Sequence, residues 1–163
     1  MEKISLRKPR VILCDDDQFI CDLIGDQLKD MGYEVVTADT PVTCAFYSDH
    51  ADSCPQHIRC ADILIIDHNM PNMTGIELLE LQHHKGCKLT SKNKLLITGR
   101  DDSELRKRAE ALGCHFLPKP VDIHTILAWI KGCEERIDLS EPLAPDLFLP
   151  AKKKAFCVTT HGK

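Results

Sequence analysis

The sequence lacks a hydrophobic run long enough to cross a lipid bilayer. Its longest apolar runs, such as residues 63–66, are far shorter than the ~20 residues that a membrane helix needs. Residues 1–8 contain no apolar stretch and no small-residue cleavage site, so they do not resemble a signal peptide. An excess of basic residues is also missing, because the net charge is −4, which argues against a general nucleic-acid binder. These absences predict a cytoplasmic protein without membrane contacts or direct DNA binding.

The sequence contains no Cys-x-x-Cys pair, although it has 9 cysteines. Without a secretory signal we expect reduced thiols, several of them serving as small core residues. One cluster combines the ligand types that suit zinc: Cys44, His50, Cys54, His57 and Cys60. Zinc ligands usually come in pairs roughly two to four residues apart, which Cys54 and Cys60 are not. An irregular loop with incidental thiols is therefore favoured over a metal site, and both alternatives remain open.

Short apolar runs alternate with segments of helical periodicity along the chain. The runs predict strands at residues 10–14, 34–38, 61–66, 94–98 and 114–117. Spacing and capping residues predict helices at residues 19–31, 41–47, 75–84, 102–112 and 121–137. The apolar face of the first helix comprises Phe19, Ile20, Leu23, Ile24, Leu28 and Met31. Strands joined by helical crossovers predict an α/β fold, with a doubly wound five-stranded parallel sheet and helices on both faces.

The domain organisation follows from where this alternation begins and ends. We expect an N-terminal lead-in at residues 1–9, one domain at residues 10–137 and a C-terminal tail at residues 138–163. The tail is too short for a winged-helix or helix-turn-helix output domain. Its apolar residues could dock on the domain or on a partner. An extended linker is favoured, because the prolines of the tail prevent a regular helix.

Polar residues with complementary chemistry follow four of the predicted strands. Acidic residues at 15–17 come after the first strand and Asp67 after the third, while Thr98 ends the fourth and Lys119 follows the fifth. The carboxyl ends of parallel strands lie at one edge of a sheet, where ligands of such folds bind. Clustered carboxylates repel one another unless a cation is present, and Mg²⁺ prefers oxygen ligands of this kind. The set therefore predicts a magnesium site with a carboxylate nucleophile and two groups able to hold phosphoryl oxygens.

Each of these residues taken alone has a structural explanation. Asp17 can simply cap the first helix, Lys119 can be a solvated surface lysine, and Thr98 is a residue type common in strands. The functional interpretation depends on their occurring together at the ends of successive strands.

The chain resembles the receiver domains of two-component response regulators. Residues 67–75 match the family pattern D-x-x-M-P-x-M-x-G, and residues 11–17 match the acidic end of its first strand. Residues 96–99 and 116–120 match the two other signatures, so the resemblance covers residues 10–137. It implies a flavodoxin-like sheet of order 2-1-3-4-5. Two departures are Gly99, where alanine is more usual, and a longer, more polar crossover before the third strand.

The resemblance implies a role for each acidic residue. Asp67 would be the phosphoacceptor, and Asp15 and Asp16 would form the acidic pocket. The implied cofactor is Mg²⁺, with Asp16, Asp67 and the backbone carbonyl of Asn69 as its ligands.

The same resemblance implies a switch at the neighbouring strand ends. Thr98 and Lys119 would bind phosphoryl oxygens, and Lys119 would pair with Asp67 beforehand. The Lys119–Pro120 peptide bond is cis in the family. Phe116 occupies the position of the aromatic switch residue, and we expect its ring to turn inward from a more exposed position when Thr98 moves.

The implied function is that of a single-domain response regulator. A sensor histidine kinase or phosphotransfer protein would donate the phosphoryl group, and the phosphorylated form would bind an unknown downstream protein. The chain would not be an enzyme beyond Mg²⁺-dependent self-phosphorylation and autodephosphorylation. We also expect a weak homodimer through charged residues that follow the fourth strand: Arg106, Lys107, Glu110, Asp122 and Lys131.

Two alternative functions come from other classes. A phosphatase of the haloacid dehalogenase type needs a second aspartate two residues after its nucleophile, where this sequence has Asn69. A receiver fold kept as a phosphorylation-independent interaction module would have no need for the set of Asp16, Asp67, Thr98 and Lys119. Both alternatives are therefore less favoured than a phosphoacceptor.

Overall fold

The computed structural model describes residues 5–39, 53–54, 57–99 and 102–144. The strands in this part of the chain are β1 (Arg10–Cys14), β2 (Glu34–Ala38), β3 (Ile63–Asp67), β4 (Lys94–Thr98) and β5 (His115–Pro118). The α-helices are α1 (Gln18–Asp30), α2 (Gly75–His84), α3 (Ser103–Ala111) and α4 (Ile123–Glu134), and a 3₁₀ turn spans Ser91–Asn93. The helix predicted at residues 41–47 lies outside the described residues. No helix within the described ranges is long and apolar enough to span a membrane.

The five strands form one parallel sheet in the order β2-β1-β3-β4-β5. Every residue of β3 and β4 is buried, as expected for central strands that are covered on both faces. This arrangement confirms the predicted α/β fold and its strand order.

Helices cover both faces of the sheet and create two apolar cores. Ile12, Leu64 and Leu96 belong to the core formed with α2 and α3. The alternate residues Leu13 and Ile65 belong to the core formed with α1 and α4. Because neighbouring side chains of a strand point to opposite faces, each central strand contributes to both cores.

The apolar face of α1 is only partly buried, which corrects the sequence prediction for three of its residues. Ile24 and Leu28 are buried in the core, but Phe19 is 71% exposed and Leu23 52% exposed. Met31 is 42% exposed and forms the C-cap of the helix. Helical periodicity identifies a stripe of apolar residues, but it does not say how much of that stripe a neighbouring element covers.

Aspartates cap three of the helices through their side chains. Asp17 is the N-cap of α1 and accepts a hydrogen bond from the backbone N–H of Phe19 at 3.0 Å. Asp102 and Asp122 do the same for α3 and α4. Asp17 therefore has the capping role that we considered for it.

An ion cluster centred on the buried Asp62 joins both ends of the domain at the base of the sheet, opposite the carboxyl ends of the strands. Asp62 has a side chain that is 0% exposed, and it accepts two hydrogen bonds from Arg7 at 2.6 and 2.9 Å. Arg59 lies 3.3 Å from Asp62 and 2.7 Å from Glu141. The backbone N–H of Ala144, which is buried, donates to the carbonyl of Arg59 at 2.9 Å. The prediction of an extended linker is thus wrong for residues 138–144, which contact the domain through these hydrogen bonds and ion pairs.

Candidate functional site

The carboxyl ends of four parallel strands bring the predicted site residues to one edge of the sheet. Asp67 and Thr98 are the last residues of β3 and β4, and Asp15 and Lys119 directly follow β1 and β5. Asp67 pairs in register with Ile97, so Thr98 lies one residue further along the neighbouring strand. The parallel register accounts for the convergence of residues that are far apart in the sequence.

Three carboxylates meet at this edge. Oxygens of Asp15, Asp16 and Asp67 all lie within 4.8 Å of one another. Asp15 and Asp67 are buried, at 5% and 4% exposed, whereas Asp16 is exposed to solvent. Burial raises the pKa of Asp15, and the charge of Asp67 raises it further, although a backbone hydrogen bond from Asp17 opposes both. The three carboxylates offer only oxygen ligands and repel one another, so they fit a hard divalent cation such as Mg²⁺.

Lys119 supplies the positive charge of the site. Its Nζ lies 2.9 Å from Oδ1 of Asp67 and 3.8 Å from Oδ2 of Asp15. Burial disfavours the charged ammonium, but the hydrogen bond to Asp67 and the charges of Asp67 and Asp15 outweigh it, so the pKa of Lys119 is raised. The Lys119–Pro120 peptide bond is cis, as expected. Lys119 therefore remains charged and paired with Asp67.

The surroundings of Gly75 explain why the motif after β3 ends in glycine. A Cβ atom at this position would lie 2.6 Å from the carbonyl oxygen of Asp67 and 2.7 Å from Cδ1 of Leu96. The backbone N–H of Gly75 also donates to the carbonyl of His68 at 2.9 Å. A side chain here would push the loop away from Asp67, so glycine permits α2 to begin directly against the end of β3.

Thr98 is buried beside the acidic cluster, with 1% of its surface exposed. Its backbone carbonyl accepts a hydrogen bond from the N–H of Lys119 at 2.6 Å, which ties the end of β4 to the lysine. A Cβ atom at Gly99 would meet no other described residue within 4 Å. The small residue that follows Thr98 therefore leaves open space next to the site.

Phe116 is already buried, contrary to the expected exposed starting position. Only 3% of its surface is exposed, and the guanidinium of Arg106 lies 4.6 Å from the centre of its ring. A phenylalanine ring has no hydroxyl that needs a partner, and a cation over its face adds attraction. The sequence places Arg106 only among the charges of the expected dimer face. Nothing in the spacing of residues 106 and 116 indicates that the two side chains are in contact.

The described cysteines do not assemble a metal site. Cys54 and Cys60 are half-buried thiols, and His57 is exposed. Among the residues that the structure describes, the Asp15, Asp16 and Asp67 group alone brings three or more such ligand atoms together. Cys44 and His50 lie outside the described residues.

The fold and this site define an α/β domain whose acidic pocket lies at the carboxyl edge of a doubly wound sheet. Residues 11–131 match the family model described as the response regulator receiver domain. The chain belongs to this family, whose members serve in two-component signalling and interact with histidine kinases or phosphotransfer proteins. The receiver domain is a signalling domain rather than a catalytic one.

Curated relatives include proteins of very different length. The chain is 33% identical over 124 residues to the chemotaxis protein CheY of Treponema pallidum, a match that covers 72% of this chain and 77% of that protein. It is 30% identical over 112 residues to the two-component response regulator ARR11 of Arabidopsis thaliana, covering 69% of this chain and 20% of the relative.

Solved structures support the same fold. A CheY-like receiver domain protein from Methanospirillum hungatei is 27% identical, with a TM-score of 0.61, covering 81% of this chain and 97% of that one. The receiver domain of the Francisella response regulator 1452 has a TM-score of 0.64 at 21% identity, covering 79% and 98% of the two chains.

The acidic cluster predicts a measurable stabilisation by Mg²⁺. A cation that binds the folded chain raises the free energy of unfolding by mass action, by about 1.4 kcal/mol at ten times its Kd. We expect thermal melts of the wild type to shift upward with millimolar Mg²⁺ and those of Asp16→Ala to shift much less. Asp30→Ala, at the far end of α1, serves as the matched control and should respond like the wild type. Equal shifts in wild type and Asp16→Ala would contradict a cation site at this edge.

Proposed function

We propose that Asp67 accepts a phosphoryl group from a sensor histidine kinase or phosphotransfer protein in a Mg²⁺-dependent reaction. The phosphorylated form would signal through altered protein–protein interaction. The observation that carries this proposal is the Asp67–Lys119 pair at 2.9 Å inside a cluster of three carboxylates. Membership of the receiver family supports it, and a cytoplasmic location remains a prediction.

Phosphoryl transfer to Asp67 requires mainly that charged groups be held in the right positions around the phosphoryl group. A carboxylate oxygen of Asp67 forms a bond to phosphorus, while the bond from phosphorus to the donor nitrogen breaks and its electron pair stays with the donor. Mg²⁺ held by Asp16, Asp67 and the carbonyl of Asn69 would offset the negative charge that accumulates there. Lys119 and Thr98 would hold two phosphoryl oxygens. Autodephosphorylation would transfer the same group to water, so no separate substrate is turned over.

The buried position of Phe116 changes how the signal would reach the surface. Phosphorylation adds roughly −1.5 to −2 charges and three acceptor oxygens at Asp67. Thr98 would shift toward these oxygens and draw the β4–α3 connection with it. Since the Phe116 ring is already inside, we expect the change to appear in α3 and in the Arg106 contact rather than as an inward turn of the ring.

Amide exchange tests this signalling role. Beryllofluoride with Mg²⁺, which mimics the phosphoryl group, should change protection in residues 98–118 of the wild type. Thr98→Ala should still bind the mimic but lose most of that change, because its hydroxyl transmits the movement. Thr125→Ala, an exposed threonine on α4, should behave like the wild type. A phosphorylation-independent interaction module would show no response in any of the three proteins, and equal responses in all three would refute the role of Thr98.

Exposed apolar residues of α1 support docking of the donor protein beside the site. Leu23 lines a groove of about 720 Å³ between α1 and α4 that opens onto Asp67 and Lys119, and Phe19, which is 71% exposed, lies one helical turn before Leu23 on α1. We expect Phe19→Ala to slow phosphoryl transfer from a phosphotransfer protein about tenfold or more, as loss of a central aromatic anchor does. The rate with acetyl phosphate should stay unchanged. Met31→Ala, at the other end of α1, is the control, and equal slowing with both donors would contradict docking at Phe19.

The homodimer also remains a proposal. Lys107, Glu110 and Lys131 are exposed and of mixed charge, but Arg106 is engaged with Phe116 and is therefore less available to a partner. Sedimentation of the beryllofluoride complex measures this association, and a strictly monomeric complex at high concentration would refute it.

A further inference from the structure

Three thiols from two separate connections of the chain lie near the far end of α2, away from the acidic pocket. Cys54 and Cys60 belong to the connection that precedes β3, and Cys87 belongs to the connection between α2 and β4. All three are half-buried and pack against the same apolar core, and we call them the thiol cluster. The 10 residues of α2 span about 15 Å, which separates the thiol cluster from the start of α2 beside Asp67.

A backbone hydrogen bond holds the two connections together. The N–H of Cys54 donates to the carbonyl of Lys85 at 2.7 Å. Gly86 follows with a φ of 72°, a left-handed conformation that suits glycine. This turn allows the N–H of Cys87 to donate back to the carbonyl of Gln82 at 2.9 Å. Cys87 is therefore fixed at the end of α2, next to the backbone that carries Cys54.

The surroundings of Cys60 make it the unreactive member of the thiol cluster. Burial, with smaller contributions from the charges of Cys87 and Cys54, raises the pKa of Cys60 to about 12, and the ammonium of Lys94 only partly opposes this. Lys94 is itself buried and donates to Oε1 of Gln82 at 2.8 Å. Because a thiol reacts as its thiolate, Cys60 stays protonated and inert at neutral pH. Cys54 and Cys87 remain as the pair that can react.

The thiol cluster suits a bond between two sulfurs better than a metal. Within the described ranges, the carboxylates of the acidic pocket alone bring three or more metal-ligand atoms within 4.8 Å of one another. A structural zinc site needs about four such ligands. A disulfide needs only two thiols on segments whose backbones lie close together.

We propose that Cys54 and Cys87 are a reversible modification site that forms a disulfide by reaction with small-molecule disulfides such as oxidised glutathione. The thiolate of Cys87, which lies between the exposed residues Gly86 and Lys88, attacks one sulfur of the oxidant. The sulfur–sulfur bond of the oxidant breaks, and the first glutathione leaves as a thiolate with the electron pair.

The second step closes the bond within the chain. The thiolate of Cys54 attacks the sulfur of Cys87 in the mixed disulfide and releases the second glutathione thiolate. The two departing thiolates take up the two protons that the cysteines lost. The cysteine pair is thus oxidised by two electrons, and one oxidised glutathione is reduced to two glutathione molecules.

The bond would join the connection before β3 to the end of α2. Such a cross-link restricts the unfolded chain, so the oxidised protein should melt at a higher temperature than the reduced protein, by roughly 5 °C or more. Dithiothreitol should reverse the shift. Asp67→Asn should show the same shift, because the thiol cluster contains no group of the acidic pocket.

Peptide mapping of the full chain after equilibration in glutathione redox buffers tests the assignment. Digestion without reduction should yield a peptide pair linked through Cys54 and Cys87, which dithiothreitol separates. Cys54→Ser should instead accumulate one glutathione on Cys87, because the thiol that completes the exchange is missing. Cys60→Ser, which changes the third member of the thiol cluster, is the matched control and should form the same linked pair as the wild type.

Three results would overturn the proposal. The first is the absence of a Cys54–Cys87 linkage in the most oxidising buffer, and the second is a linkage of Cys60 in its place. The third is loss of the linkage in Cys60→Ser, with circular dichroism showing that this variant is folded.

Discussion

Replacing Asp67 with asparagine is expected to abolish phosphate incorporation from acetyl phosphate. The amide keeps the size of the side chain but has no anionic oxygen to attack phosphorus. It also removes the charge that pairs with Lys119 at 2.9 Å and one of the three carboxylates of the acidic cluster. Intact-protein mass spectrometry measures the result as the presence or absence of one added phosphoryl group.

The matched control for this variant is Asp17→Asn. Asp17 lies close in sequence to the acidic pocket, yet it caps α1 and does not belong to the group of three carboxylates. Asparagine caps a helix about as well as aspartate, so this variant should keep its stability and still incorporate phosphate. Incorporation in Asp67→Asn at the wild-type level would show that Asp67 is not the acceptor.

Asp62→Ala is expected to lower the free energy of unfolding by about 3–5 kcal/mol, the usual cost of removing one partner of a buried ion pair. Asp62 accepts hydrogen bonds from Arg7, Arg59 and the backbone N–H of Arg10. Without it, two guanidinium groups face each other and lose the group that neutralises them. Urea unfolding measures the loss. Glu34→Gln is the control, because its pair with Arg10 is exposed and should contribute at most about 1 kcal/mol.

The same carboxylate predicts a loss of stability in acid. Burial disfavours the charge of Asp62, but hydrogen bonds from Arg7 and from the N–H of Arg10 outweigh it and hold its pKa below the ordinary 3.8. Its stabilising contribution is therefore complete above pH 3.8 and is lost as the pH falls through the lower pKa of the folded state. Asp15 acts in the opposite direction, since its raised pKa makes the folded state less stable as the pH rises above 3.8.

The sheet and the phosphoacceptor edge could be predicted because the information is local. The run at β3 is apolar throughout and ends in Asp67, and such a run identifies a central strand without reference to other segments. Once the strands are known to be parallel, the residues after each strand must lie at one edge. The positions of Asp15, Asp67 and Lys119 follow from that rule.

Contacts between distant segments could not be predicted in the same way. Phe116 is buried in a core that includes Leu105 of α3, and its ring contacts Arg106 of the same helix. The base of the sheet depends on Arg7 and Glu141, which come from opposite ends of the described chain and meet at Arg59 and Asp62. Residue spacing contains no signal for either contact.

The central claim is that Asp67 becomes an acyl phosphate in a Mg²⁺-dependent reaction. Borohydride reduction converts an aspartyl phosphate to homoserine, so peptide mapping after treatment with acetyl phosphate identifies the modified residue. With Mg²⁺ present we predict homoserine at position 67 alone, and with the metal chelated we predict aspartate there. An unmodified Asp67 in the presence of Mg²⁺, or homoserine at any other aspartate, would contradict the account.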